Sequence, residues 1–451
     1  METIGRTGSL ASTAPVAASR QHRLQSAALV LLLAGVGLFL WPSNDVLPLA
    51  LGVSVIVAGA LPALVLARWP ASTRVLAVAV AVAVVPAGLL AVGRATGSGT
   101  ARYRNHDGGV YVTRAAATDI LDGKNPYTDR FDRALPPSWQ RVQGADGRTS
   151  PNPVIEHYPY LPAAALVQVP FVAASRLFGV DWDPRMLAWA LLLAAALALA
   201  RRPEPVAARA AAIISLGNAF TVLYLAWGTN DAQVAALVLL ACLLARRRPA
   251  LAGAALALAV SGKFLVLVAV PPLLYVETTA YGLRAALRRW WSFPATLLAT
   301  IVPFLVARPA ALFEDTVAFN LGLTKVKMPP SGIGLPIAAP GLFAGPVLAA
   351  VTVLGAMAAL VLPLALVRRR PTLLAVPPAT AVGLWFLLWP ARTFQATYLT
   401  LLLGLVAPVW LLVGSKADRA GAAAEPGATG GMVGDAKPDS VAPRPAAVPA
   451  T

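Results

Sequence analysis

The sequence predicts an all-α polytopic membrane protein with about 12 membrane helices, and three observations carry that prediction. The chain has 451 residues, is 58% hydrophobic and has a mean hydropathy of +0.68. Several apolar runs reach the roughly 20 residues that a helix needs to cross a bilayer. Most arginines stand in short clusters between these runs, for example at 246–248 and 368–370, as in cytoplasmic loops. We therefore expect a multi-pass protein of the cell membrane, in contact with membrane lipids.

Charge and composition exclude several other classes of protein. The net charge of +17 does not predict a nucleic-acid partner, because the cations follow the membrane pattern rather than forming one basic patch. The single Cys242 lies in an apolar run and offers no disulfide. Three histidines give no His-rich metal centre. The sequence thus predicts no certain cofactor and leaves the need for a divalent cation open.

The elements follow in order along the chain. Residues 1–26 are polar, and no small-residue cleavage site follows them, which predicts a cytoplasmic segment before an uncleaved first helix. Residues 27–414 form the predicted membrane domain, and 415–451, rich in Ala, Pro and Gly, a disordered cytoplasmic tail. Within the domain, 94–157 and 309–342 are the predicted outer loops. The unambiguous spans are predicted near 27–41, 46–67, 75–93, 185–200, 208–227, 230–245, 292–308, 343–367, 371–390 and 394–413.

Two topologies compete between residues 157 and 276. In one, 157–179 crosses the membrane and 251–276 is a single span, which places the six arginines between 201 and 248 outside. In the other, 157–179 is a surface or re-entrant helix, and 251–276 is a broken pair that reaches the outer rim at about Lys263 and returns. The second topology puts all six arginines inside. We favour it because Lys/Arg bias is the strongest orientation signal in a sequence.

The first outer loop contains a predicted helix with a carboxylate just before it. The spacing of apolar residues predicts a helix over 110–121, and Gly123 is placed to end it. Asp107 precedes the positive N-terminal end of this helix. Asp107 either caps the helix or serves as a general base at the outer membrane surface, since a carboxylate can take a proton from a hydroxyl nucleophile.

The order of motifs around this loop resembles a known family. Asp107, Tyr111, "LDGKNPY" (121–127), "YPYLPAAALVQVPF" (158–171) and the block at 218–275 are similar to the polyprenol-phosphate-dependent glycosyltransferases of the GT-C superfamily. Among these, the chain most resembles the PimE-like mannosyltransferases of glycosyltransferase family 87. The resemblance covers roughly residues 100–280, and Gly108 and Gly109 stand where the family has an aromatic residue.

The resemblance implies a GT-C-like bundle and a reaction. A sugar, most simply mannose, would pass from a polyprenyl-phosphate donor to a glycolipid or cell-envelope glycan acceptor on the outer face, with Asp107 as base. Such chemistry needs cations on the departing phosphate, and the donor-phosphate candidates are Lys263, Arg392 and Lys325. Their alternative roles are a snorkelling lysine, an interfacial anchor and a solvated residue of the second outer loop, respectively.

A further set of polar and aromatic residues stands at predicted helix ends or in the family motifs. The substrate-binding candidates are Tyr111, Tyr127, Glu156, His157, Tyr160, Asn230 and Asp231. For Glu156 and His157 the simpler interpretation is a capping or interfacial role, and for Asn230 and Asp231 it is a helix cap. A transporter or flippase of lipid-linked sugars is the alternative function, but it predicts an inverted repeat that the sequence does not display. A non-catalytic membrane scaffold would leave Asp107 to Tyr127 without a role.

Overall fold

A computed structural model shows a mostly helical chain. It describes residues 71–96, 109–143, 147–179, 181–326, 328–342, 345–391 and 393–413. The predicted N-terminal segment, the spans at 27–41 and 46–67, and the predicted tail lie outside the described residues.

The first half of the described chain contains eight α-helices, and the second of them lies in the predicted first outer loop. They are α1 (Ala71–Thr96), α2 (Gly109–Leu121), α3 (Ala163–Leu166), α4 (Val169–Phe178), α5 (Arg185–Ala200), α6 (Val206–Leu216), α7 (Ala219–Ala226) and α8 (Asp231–Leu244). Short 3₁₀ turns at Pro137–Trp139 and Pro153–Ile155 lie between α2 and α3.

The second half continues the bundle. Its helices are α9 (Pro249–Gly262), α10 (Val270–Tyr281), α11 (Leu283–Arg289), α12 (Ser292–Ala307), α13 (Pro309–Phe313), α14 (Leu335–Ala338), α15 (Gly345–Arg369), α16 (Val376–Leu388) and α17 (Tyr398–Val406). A π-helical turn, Glu314–Ala318, follows α13, and 3₁₀ turns occupy Phe264–Ala269 and Leu373–Ala375.

Strands in the described residues are few and short. β1 (Arg141–Gln143) pairs antiparallel with β2 (Thr149–Pro151) in the first outer loop. β3 (Ser331–Gly332) pairs in parallel with β4 (Thr393–Phe394), which joins the second outer loop to the turn between α16 and α17.

Several helices have the length and composition of membrane spans. Among the described residues, four qualify: Ser72–Leu89, Val206–Ala226, Phe264–Tyr281 and Pro346–Arg369. The pair α11 and α12, bent by 49°, makes a fifth if it is one span. Shorter apolar helices, including α5, α8 and α9, pack among them. The structure is therefore compatible with an all-α membrane protein, while the count of about 12 helices stays a prediction.

Helix α8 lies at the centre of the bundle. It contains little besides apolar residues, and nearly all of them are buried, as expected for a helix that is hydrophobic on every face. It packs against α5, α9 and α17. One apolar cluster unites α8 with α9, α16 and α17, a second unites it with α1, α5 and α6, and a third lies beneath the outer loops.

Two local predictions are confirmed. Helix α2 begins one residue before the predicted 110–121 and ends at Leu121, and Gly123 adopts a left-handed φ of 74° beyond its end. The 251–276 run is broken at Lys263, whose extended backbone (φ −147°, ψ 105°) separates α9 from the 3₁₀ turn and α10. The side of the membrane on which Lys263 lies stays a prediction.

Close contact between α1 and the end of α6 depends on a glycine. A Cβ atom at Gly217 would overlap the backbone carbonyl of Ala83, whereas a Cβ at Gly341 would meet nothing within 4 Å. Small residues at such crossings let membrane helices approach closely. We predict that Gly217→Ala destabilises the protein by about 1–3 kcal/mol, the usual cost of overpacking, and that Gly341→Ala changes little.

The melting temperatures of both variants and of wild type in detergent test this prediction. An unchanged melting temperature for Gly217→Ala would mean that α1 and α6 do not pack this tightly.

Candidate functional site

A large cavity opens where the two predicted outer loops meet the break in the bundle. It has a volume of about 610 Å³. Its wall combines Gly109 at the start of α2, strand β1, the segment 159–161, the end of α9, the second outer loop and the turn before α17. Polar side chains of Ser261, Asn320 and Gln395 alternate with apolar ones such as Phe264 and Leu388. A few polar groups in an apolar concavity are typical of a ligand site.

Lys263 and Arg141 of β1 are the cationic residues of this wall, and Lys263 stands at the helix break. Its Nζ lies 3.3 Å from Oδ1 of Asp231, which is buried at the first turn of α8. The same Nζ lies 4.0 Å from the ring centroid of Tyr398, at the start of α17, in a cation–π arrangement. The break in the helix thus turns the ammonium toward the cavity and away from the apolar run on either side.

The helix break also exposes backbone carbonyls, and other segments satisfy them. Asn230 Nδ2 donates to the carbonyl of Gly262 at 2.9 Å. The backbone N–H of Leu161 donates to the carbonyl of Ser261 at 3.2 Å. Asn230 makes no side-chain capping bond to its own helix, so its simpler predicted role as a cap is not observed. It joins α8 to the end of α9 instead.

The second outer loop is fixed as a wall of the cavity. Besides the β3–β4 pairing, Gln395 Nε2 donates to Ser331 Oγ at 2.7 Å, and the N–H of Ile333 donates to the carbonyl of Phe394 at 2.7 Å. Gly332 has a φ of 99°, and a Cβ there would collide with the Phe394 carbonyl. The glycines and prolines of this loop, which as a pattern suggest mobility, here permit close docking.

A buried His–Asp pair joins the two outer loops. His157 Nδ1 lies 2.7 Å from Asp315 Oδ1, and the backbone N–H of Tyr158 donates to Asp315 Oδ2 at 2.8 Å. Burial alone lowers the pKa of His157, but its hydrogen bond and charge interaction with Asp315 outweigh this effect and raise the pKa above its ordinary value. The ring of His157 also packs on Phe319, at 4.8 Å between centroids.

Behind Tyr160 lies a small polar annex to the main cavity. This space of about 30 Å³ shares Gly109, Tyr160 and Gly262 with the main cavity. Its lining includes the buried guanidinium of Arg185, which is 3.6 Å from Asp183. The annex brings a permanent positive charge to the side of the site where α2 begins.

Two of the predicted site residues, Asp107 and Arg392, lie outside the described residues. Their described neighbours Gly109, Ala391 and Thr393 all line the main cavity. Lys325 and Glu156 line a separate cavity of about 320 Å³ together with Arg130, which lies 3.2 Å from Glu156. The structure therefore does not bring Lys325 together with Lys263.

The three predicted tyrosines occupy different layers. Tyr160 lines both the main cavity and its annex. Tyr127 is buried beneath it, and its hydroxyl donates to the carbonyl of Tyr160 at 2.8 Å. Burial raises the pKa of Tyr127 above its ordinary value, which keeps the hydroxyl a donor. Tyr111 is half-buried and packs against the outer apolar cluster. Tyr127 and Tyr111 thus support the wall rather than form it.

Sequence reasoning missed Tyr398, Gln395, Asn320 and Arg185. The first three stand in turns or at helix ends, where their own surroundings suggest no more than polar loop residues. Arg185 opens an apolar helix and resembles an interfacial anchor. No local pattern could have assigned these residues to one cavity.

Among the described residues, no group of three or more His, Cys, Asp or Glu side chains is arranged to hold a metal ion. In comparisons with protein-family models, curated proteins and solved structures, nothing matches this chain.

The His157–Asp315 pair predicts a pH dependence of stability. Because the pKa of His157 is raised in the folded protein, its contribution is complete below the unfolded value of about 6.5 and is lost as the pH rises through the folded pKa. Removing one partner of a buried pair costs about 3 kcal/mol. Burial also raises the pKa of Asp315 above its ordinary value, so the charged pair forms only above that pKa. We expect Asp315→Asn to melt furthest below wild type between the folded pKa values of Asp315 and His157, with a difference that shrinks as the pH rises through the pKa of His157.

Melting temperatures measured from about pH 5 to pH 9 test this expectation. The double variant His157→Gln with Asp315→Asn serves as the control, because it has no imidazole at this position. Its melting temperature should show no pH-dependent loss beyond that of the single variant. A constant difference between wild type and Asp315→Asn at every pH would contradict a charged pair.

Proposed function

We propose that this protein is an integral membrane glycosyltransferase that uses a polyprenyl-phosphate sugar, most simply mannose, as donor. The acceptor is a hydroxyl of a glycolipid or cell-envelope glycan, and the reaction takes place on the outer face of the membrane. The full domain is a GT-C-like bundle of about 12 membrane helices. The proposal rests on the resemblance of residues 100–280 to this class and on the character of the main cavity.

One observation supports the proposal most directly: a lysine stands at a helix break and faces a cavity of mixed polarity. A phosphate attached to a long apolar chain needs a cation, apolar surface and access from the bilayer. Lys263 offers the cation, and Phe264, Leu265 and Leu388 offer apolar surface beside it. Sugar hydroxyls need amide and hydroxyl partners, which Ser261, Asn320 and Gln395 provide in the same cavity.

The proposed reaction is a displacement at the anomeric carbon of the donor sugar. The acceptor oxygen forms a bond to that carbon, while the bond from the carbon to the phosphate oxygen breaks. The acceptor proton passes to the Asp107 carboxylate. The electron pair of the broken bond stays on the phosphate, whose added charge Lys263 stabilises. Arg392, next to the cavity-lining Ala391 and Thr393 in the chain, is a second candidate for this role.

The position of Asp107 in the chain supports this role. It stands two residues before Gly109, a cavity-lining residue, and two residues span at most about 7 Å. We predict that Asp107→Asn lowers the turnover number by about 10²–10⁴-fold, the range of general base catalysis. Asp122→Asn, which removes a carboxylate paired with Arg176 on the outer loop, should retain activity and serves as the matched control.

The measurement is transfer of labelled mannose from polyprenyl-phosphate-mannose to membrane glycolipids by purified protein. Transfer by Asp107→Asn at the wild-type rate would remove Asp107 from the mechanism and leave the enzyme class standing. Absence of transfer by wild type with mannose and arabinose donors, together with movement of the sugar lipid across liposomes, would favour the alternative of a transporter or flippase.

Two of the described lysines, Lys263 and Lys325, give a second, sharper prediction. Lys263 lines the main cavity, whereas Lys325 lines a separate one. We predict that Lys263→Gln lowers kcat/KM by about 10²–10³-fold, the usual cost of removing one group that stabilises developing charge. Lys325→Gln should change kcat/KM by less than about threefold. Equal losses in the two variants would show that the phosphate does not lie beside Lys263.

A further inference from the structure

We infer that the second outer loop inserts Leu321 and Leu323 into the outer leaflet of the membrane, as a fixed apolar lip beside the cavity mouth. The inferred partner is the lipid bilayer itself. The inference rests on the exposure of these two residues, on the hydrogen bonds of the turn that carries them and on the exposed apolar face of the candidate membrane span that precedes it in the chain.

Both leucines point away from the protein. The exposed fraction is 67% for Leu321 and 72% for Leu323. Single exposed apolar residues are ordinary on any protein surface, so exposure alone would carry little. Here, however, Leu321 and Leu323 follow Phe313, which is also exposed, on the same short outer segment.

The turn holds the leucines outward by several local contacts. The backbone N–H groups of Leu321 and Leu323 donate to the carbonyls of Val317 and Ala318 at 3.0 and 2.8 Å. Gly322 between them has a left-handed φ of 71°. On either side, Phe319 and Thr324 are buried. With both flanks anchored, the leucines cannot fold back into the core without breaking this arrangement.

Helix α12, which precedes the loop in the chain, also exposes apolar residues. Leu298, Val302 and Leu305 are exposed at i, i+4 and i+7 spacing and therefore share one face of that helix. Val306 at its end is exposed as well. Since α12 belongs to a candidate membrane span, this face meets lipid chains. The leucine turn follows α12 in the chain, and the exposed Lys325 lies two residues further, as expected for a cation at the level of the lipid headgroups.

The position of the lip gives it a consequence for the site. Asn320, immediately before Leu321, lines the main cavity and donates from Nδ2 to the carbonyl of Pro159 at 3.2 Å. A lip inserted in the leaflet therefore puts the cavity mouth at the membrane surface. On the proposed function, a lipid-borne donor could enter sideways without leaving the bilayer.

Fluorescence in liposomes tests the lip without any assay of sugar transfer. In the full chain with Cys242→Ala, which removes the single native cysteine, single cysteines at Leu321→Cys and Leu323→Cys carry an environment-sensitive NBD label. Val306→Cys on α12 is the lipid-facing control, and Thr149→Cys on the exposed hairpin strand β2 is the water-facing control. Variants are used when their melting temperature matches that of the parent.

We expect labels at 321 and 323 to be quenched at least threefold more strongly by nitroxide lipids than by aqueous iodide, as at 306. Quenching by iodide, as at 149, would overturn the inference and place the loop in water. Protection from both quenchers would overturn it too, since a protein surface, such as a second copy of the chain, would then cover the leucines. None of these outcomes depends on whether the protein transfers sugar.

Discussion

The break at Lys263 is the constraint on which the rest of the site depends. A charge at the centre of a membrane helix costs about 2.5–3.5 kcal/mol on insertion scales, and every backbone polar group inside the bilayer needs a partner. The extended Lys263 between α9 and the 3₁₀ turn avoids the cost of a charge inside an apolar helix, because its side chain lines the cavity. The same break leaves backbone groups without helical partners, namely the carbonyls of Ser261 and Gly262. Leu161 and Asn230 supply the replacements, so the break holds the segment at 159–161 and the start of α8 in place.

The outer wall of the cavity is assembled by contacts between distant parts of the chain. Asp315 binds both the side chain of His157 and the backbone of Tyr158, which ties the first outer loop to the π-helical turn. The β3–β4 pair ties the other end of the second outer loop to the turn before α17. A single-turn π-helix is uncommon and frequently stands at functional sites. Here it positions Thr316 on the cavity wall and Asp315 toward His157. The loop is therefore held in place as a wall of the cavity, although its glycines and prolines suggest a mobile loop.

The features that could be predicted from sequence are those set by local chemistry. Periodicity and a glycine signal predicted a helix over 110–121, close to the observed Gly109–Leu121, and the bias of the flanking arginines favoured a break at about Lys263. The partners of these residues could not be predicted in the same way. Asn230 has the local signature of a helix cap, but its side-chain oxygen makes no capping bond, and its side-chain NH2 donates to the Gly262 carbonyl at the end of another helix. Tyr398 and Asp315 reach Lys263 and His157 only through the folded bundle, and a single sequence contains no signal for such pairs.

The energetics of the Lys263–Asp231 pair suit a site that exchanges partners. At 3.3 Å, the attraction between two unit charges is about 5 kcal/mol for an effective dielectric constant near 20. The cost of removing each ion from water is several kcal/mol, so the pair adds little net stability and is not explained as a structural clamp. An ammonium also has three N–H donors, so the ion pair with Asp231 does not exclude contact with a phosphate oxygen. Lys263 has already lost most of its water during folding, so an arriving phosphate would not have to remove that water. This favours phosphate binding at Lys263 over binding at a solvated surface lysine such as Lys325.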